Sequence, residues 1–215
     1  MKSICVCICG LNRSIDLTIS NFNKLLNIYE IEYILVLSNS NDKEYINNIN
    51  KEIENPKIIK KLILKDYYYN NFRNSENYSN KIMHSIKLMQ NKYDFYILCR
   101  SDLIINDLNL NIIDKEKIYF CNNNLNPYTA NENRINDNII ITKNYDELIK
   151  LIKLHDFNKI NKNYLDVNLY KYLNEKIINY ELVNIDYKLV LSECNIIAIS
   201  GDSGSGKTTL SKILN

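Results

Sequence analysis

Residues 201–208 read Gly201-Asp202-Ser203-Gly204-Ser205-Gly206-Lys207-Thr208, so three of the chain's four glycines fall within six residues. This is the full G-x-x-x-x-G-K-[ST] phosphate-binding pattern. Its glycines let the backbone fold around an anion, so that successive N–H groups and a helix N-terminus point at phosphate oxygens. Lys207 would reach the β/γ-phosphates and the Thr208 hydroxyl would hold Mg²⁺, with Ser203, Ser205 and Thr209 completing the loop. An apolar run at 196–199 predicts the strand before the loop, and 208–214 the helix after it.

Three further polar clusters sit where predicted strands end. Gly10-Leu11-Asn12-Arg13 follows the first strand, and Gly10 is the one glycine outside the phosphate loop. A lone glycine there marks a backbone position where a Cβ would clash with a turn or a ligand. Arg13, at the start of the next helix, has a fork that could clamp a diphosphate; a solvated arginine on a surface turn is the alternative. Arg100-Ser101-Asp102 ends the apolar strand at 95–98. A carboxylate at a strand tip is a natural ligand for Mg²⁺ or Mn²⁺ shared with a nucleotide diphosphate, and Arg100 would offset phosphate charge beside it. A strand-end ion pair is the competing account. Asn136-Asp137-Asn138 precedes a strand at 139–142. Asp137 could be a catalytic base or accept from a sugar hydroxyl, although Asn-Asp is also ordinary turn chemistry.

The elements that must position these residues alternate. Strands are predicted at 3–9, 32–38, 58–64, 94–100, 117–121, 139–142 and 181–191, with helices at 15–29, 42–53, 80–90, 145–154 and 165–177. A polar, Tyr-rich loop is expected at 66–78 and a solvated insertion or lid at 122–133. Such alternation predicts an α/β fold: a Rossmann-like, mostly parallel sheet flanked by helices, with ligands at the C-terminal ends of the strands. The expected domain division is 1–192 and 193–215, the second a truncated strand–loop–helix. That tail lacks the strand-end Asp and the base- and acceptor-binding groups of a complete nucleotide site, so the chain reads as the front of a longer bifunctional protein with no kinase turnover of its own.

Composition sets outer limits. The 215 residues are 46% hydrophobic and 24% charged, enough for a sizeable core. A net charge of +2 makes no electrostatic case for nucleic acid or a membrane surface, and no apolar run is long enough to span a bilayer. Six cysteines without a C-x-x-C pair, and only two histidines, give no zinc spacing. Cys5, Cys7 and Cys9 alternate along the first strand and are expected on one buried face as small apolar groups. Unpaired buried thiols suit a cytoplasmic location.

Taken in order, Cys7-Ile8-Cys9-Gly10-Leu11-Asn12-Arg13, then 94–102 ending in Arg100-Ser101-Asp102, then Ile135-Asn136-Asp137-Asn138-Ile139, resemble the A-type (Rossmann-like) glycosyltransferase-related proteins of capsular and lipopolysaccharide synthesis. The resemblance covers roughly residues 1–190. It implies transfer of a sugar from a nucleotide-diphosphate donor to a glycan or small-molecule acceptor, with Arg-x-Asp replacing the usual Asp-x-Asp metal motif. By the same resemblance Asp102 would hold Mg²⁺ or Mn²⁺ and the donor phosphate, Arg13 and Arg100 would face the donor, and Asp137 would lie near the acceptor or the transferred sugar. Residues 197–210 resemble the opening of uridine kinase and related P-loop small-molecule kinases, which implies ATP at that loop if the domain is complete. The alternative function is an ATP-dependent phosphotransferase whose first block binds a nucleotide sugar or regulates.

Overall fold

The computed structural model describes residues 1–10, 15–39, 57–65, 74–122, 134–161 and 164–189. Arg13, the predicted helix at 42–53, most of the Asn-rich segment, the domain boundary and the whole phosphate loop lie outside the described residues.

Strand β1 (Ser3–Gly10) is the centre of the molecule: Ile4 through Cys9 are all fully buried. A strand covered on both faces must be apolar on both, so its sequence runs without polar alternation. Its two faces feed two separate cores. Ile4, Val6 and Ile8 pack on one side and Cys5, Cys7 and Cys9 on the other, as their spacing predicts. Burial pushes the Cys5 thiol up to about 12, so it stays protonated and behaves as a small apolar side chain.

Around β1 the seven-stranded sheet runs β3-β2-β1-β4-β7-β6-β8, where β2 is Glu30–Asn39, β3 Ile58–Lys65, β4 Phe95–Arg100, β6 Ile118–Cys121, β7 Asn136–Thr142 and β8 Tyr180–Val183. The pairings β3–β2, β2–β1, β1–β4 and β6–β8 are parallel, whereas β7 is antiparallel to both β4 and β6. A separate two-stranded antiparallel ribbon joins β5 (Leu103–Ile105) to β9 (Tyr187–Leu189).

Helices cover both faces. Helix α1 (Ile15–Leu25) sends Ile15, Ile19 and Phe22 into the first core, together with Leu103 and Ile105 of the ribbon. Helices α2 (Asn74–Leu88), α3 (Tyr145–Lys150), α4 (Leu154–Asn161) and α5 (Leu165–Glu175) close the second core through Ile82, Ile86, Leu148, Leu154, Leu165 and Leu169. Asn21 of α1 completes the free edge of β5: its amide donates to the Ile105 carbonyl at 2.8 Å and its oxygen accepts from the Ile105 N–H at 2.9 Å. Both backbone groups would otherwise be buried without partners.

Three sequence expectations are corrected. Helix α2 begins at Asn74, within the expected Tyr-rich loop, because part of its buried face is polar: Asn77, Ser79, Lys81 and Ser85 are all buried there. Hydrophobic periodicity cannot report a face built from such residues. The helix expected at 145–154 breaks at a 3₁₀ turn, Leu151–Lys153, and continues as α4. Leu148, Leu151 and Leu154 are all fully buried at a spacing of three, which the tighter turn lines up. The strand expected at 181–191 is two strands belonging to different sheets, and β5 had no signal of its own. Among the described residues no helix is long and apolar enough to cross a membrane.

Candidate active site at the sheet switch point

Sheet order reverses between β1 and β4: β2 and β3 extend one way from β1, β4 and the later strands the other. The chain leaving β1 and the chain leaving β4 thus go on to strands on opposite sides of this point, and ligands of open α/β sheets bind at the C-terminal strand ends of such a switch point. Cys9 pairs with Arg100 across this point, so Gly10 and Arg100-Ser101-Asp102 emerge side by side.

Gly10 has φ +139°, and a Cβ there would lie 2.8 Å from the Ser101 Oγ. The close approach expected of this glycine is present, and the group it accommodates is Ser101. That serine is itself fixed: its N–H donates to the Cys9 carbonyl at 3.1 Å, and its carbonyl accepts from the Thr18 hydroxyl of α1 at 3.0 Å.

On either side of Ser101, Arg100 and Asp102 form a two-pronged ion pair. The guanidinium Nε donates to Asp102 Oδ1 and Nη2 to Oδ2, both at 2.8 Å. The carboxylate holds the Arg100 pKa above its already high ordinary value. Parallel N–H···O bonds of this kind fix orientation as well as charge. Of the two accounts open from sequence, the strand-end ion pair is therefore formed.

Asp137 arrives from the opposite direction. Because Cys99 pairs with Ile139 in antiparallel register, the first residues of β7 run past the C-terminal tip of β4. Register shifts between Phe120 and Cys121, where β7 bulges against β6, and such irregularities re-aim side chains at sheet rims. Burial pushes the Asp137 carboxyl up to about 6, against the lowering effect of its own backbone N–H and of Arg100; Asp166 raises it further. Three segments separated by some ninety and then thirty-five residues of sequence therefore meet on one edge, which carries Gly10, Arg100, Asp102 and Asp137.

Other side chains at this edge carried no sequence signal. The Tyr78 hydroxyl of α2 donates to the Asp137 carbonyl at 3.4 Å, and burial raises its pKa. The Tyr187 hydroxyl accepts from the Asn136 and Asn138 amides, each at 2.7 Å. Arg134 donates to Asp166 at 3.2 Å and lies over the Tyr164 ring, 5.7 Å from its centroid. Tyr78 and Tyr187 lie some fifty to sixty residues from the Asn136-Asp137-Asn138 motif, so spacing rules cannot reach them, and Arg134, two residues before it, is tied to Asp166 thirty-two residues away.

The carboxylates fit a divalent ion poorly. Both Asp102 oxygens are already engaged by the guanidinium fork. Among the described residues no three His, Cys, Asp or Glu side chains are grouped to hold a metal.

Taken as a class, this is a helix-flanked, mostly parallel α/β sheet with polar residues grouped at its switch point, like the A-type glycosyltransferase fold. Among solved structures it is similar to galactosyltransferase LgtC, determined in complex with donor and acceptor sugar analogues. That likeness has a TM-score of 0.52 and 8% identity, covering 83% of this chain and 72% of the other; at that identity it is one of fold. No family model matches the sequence. No curated protein matches it either.

Proposed function

We propose that residues 1–189 form a glycosyltransferase-like domain that takes a sugar from a nucleotide-diphosphate donor and passes it to a glycan or small-molecule acceptor. The observation that carries this reading is the convergence of Gly10, Arg100 and Asp137 at the switch point of a sheet that resembles LgtC in fold. Donor phosphates approach the strand tip, where Gly10 lets Ser101 and its neighbours pack close to β1, and face the Arg100 guanidinium. Arg13 follows Gly10 by three residues in sequence and is assigned to the donor as well. Asp137 accepts the proton, or holds the hydroxyl, of the reacting sugar. A carboxyl with a pKa of about 6 is ionised at neutral pH yet basic enough to take part in proton transfer.

The test is release of nucleoside diphosphate from a panel of nucleotide sugars, with and without acceptor glycans. The rate is expected to rise with pH through about 6, and Asp137→Asn to abolish that limb with a loss on the order of 10² or more. Failure of every nucleotide sugar to bind would sink the proposal. Binding without turnover would leave a nucleotide-sugar-binding domain in place of an enzyme.

A second reading rests on the phosphate-loop sequence at 201–208. Residues 193–215 would belong to an ATP-binding, kinase-like unit held by Gly201, Gly204, Gly206, Lys207 and Thr208. Lys207→Ala should then abolish ATP binding and leave sugar release unchanged. Equal ATP binding by the variant and the native chain would remove this reading.

A further inference from the structure

We propose that the Arg100–Asp102 fork occupies the position of a divalent cation, so that the guanidinium itself binds the donor diphosphate and donor binding needs no metal. The inference rests on the nucleotide-diphosphate reading above and changes what neutralises the phosphates.

The geometry of the pair decides between two roles for Asp102. As a metal ligand, its carboxylate would have to face the crevice with an oxygen open to the ion. Instead the Asp102 side chain is 5% exposed, while the Arg100 side chain covering it is 38% exposed. Each carboxylate oxygen accepts one guanidinium N–H at 2.8 Å. An ion entering from the crevice would meet a positive charge first, and would have to displace two charge-assisted hydrogen bonds to reach its ligand. No second carboxylate stands beside Asp102 in the motif, since Arg100 holds the position two residues before it.

The same geometry suits Arg100 to phosphate. A guanidinium has five N–H donors, and the fork uses two of them, leaving three, including both on Nη1. Those remaining donors form the planar array that matches two oxygens of a phosphate. Asp102 is then a positioning residue: it holds the guanidinium plane and takes up none of its outward donors. Ser101 is pinned to both Cys9 and Thr18, so the tip does not reorganise when the ligand arrives. A preformed donor array of this kind binds anions without an ordering cost at the moment of binding.

Calorimetric titration of the full chain with UDP, GDP, ADP and inorganic pyrophosphate, in excess EDTA and again in Mn²⁺ or Mg²⁺, tests this. The expected result is binding of at least one nucleoside diphosphate in EDTA, with an affinity within about twofold of that in metal. Arg100→Lys keeps the charge but loses the fork, and is expected to weaken that binding by at least about tenfold. Asp102→Asn should weaken it by less and leave it equally insensitive to EDTA. Binding that appears only with metal, and is lost in Asp102→Asn, would overturn the inference while leaving the donor reading intact. If no diphosphate binds under either condition, the donor reading fails with it. Should either variant fail to fold, the comparison of EDTA with metal is made on Lys207→Ala, which removes binding at the phosphate-loop sequence, and metal-free binding that persists there supports the inference while binding that needs metal overturns it.

Discussion

Gly10 shows how much one position can carry. Its φ of +139° is one that L side chains rarely adopt, and Ser101 Oγ fills the space a Cβ would need. Both penalties fall on the same substitution, at the tip of β1 beside Arg100 and Asp102. Gly10→Ala is therefore expected to cost ~1–3 kcal/mol by chemical denaturation, and to weaken nucleotide binding more than a surface Gly→Ala change of equal cost. A variant as stable as the native chain would mean that the strand tip relaxes without strain. Arg100 and Asp102 carry a second lesson at this scale. A dipeptide-spaced Arg and Asp can ligate or pair, and only the observed fork distinguishes the two.

Between elements, buried polar side chains tie α2 to α4 and α5. The Ser79 hydroxyl donates to the Glu76 carbonyl at 3.0 Å, which commits its one proton. It therefore accepts from His155 Nδ1 at 3.0 Å and from the Asn158 amide at 3.4 Å, while Asn158 accepts in turn from Asn168. This bookkeeping places the His155 proton on Nδ1 in the neutral ring, and burial lowers the His155 pKa, favouring that neutral form. Ser79→Ala would leave two buried donors, on His155 and Asn158, without their acceptor. The expected cost is ~2 kcal/mol in denaturant unfolding, a penalty that Ser79→Thr should largely spare because it keeps the hydroxyl. Equal stability of the alanine variant would show that water replaces the serine. The same polar face is why α2 was misplaced from sequence, since its register is set by hydrogen bonds as well as by apolar spacing.

For the molecule as a whole, two cores on opposite faces of one sheet hold the switch point in place. Strand β1 contributes Ile4, Val6 and Ile8 to one core and three cysteines to the other. It cannot shift register without exchanging the two sets, which anchors the crevice at its end. The likeness to LgtC at 8% identity is of this arrangement, and side-chain chemistry is free to vary upon it. Much of that arrangement was legible in the chain. Apolar runs bounded by polar tips located β1, β2, β4 and β6, because burial on both faces demands continuous hydrophobicity, and β-branched and leucine residues marked the edge strand β3. The alternation of the cysteines and the isolation of Gly10 were local facts, and local sterics explain them. What only the tertiary structure decided depends on partners distant in sequence. The antiparallel entry of β7 carries Asp137 past the tip of β4, and Tyr78 and Tyr187 join the same edge. The two-pronged pairing of Asp102 with Arg100 also belongs here. These follow from which strands lie side by side and which groups are shielded from water, and neither is set by the spacing of residues along a chain.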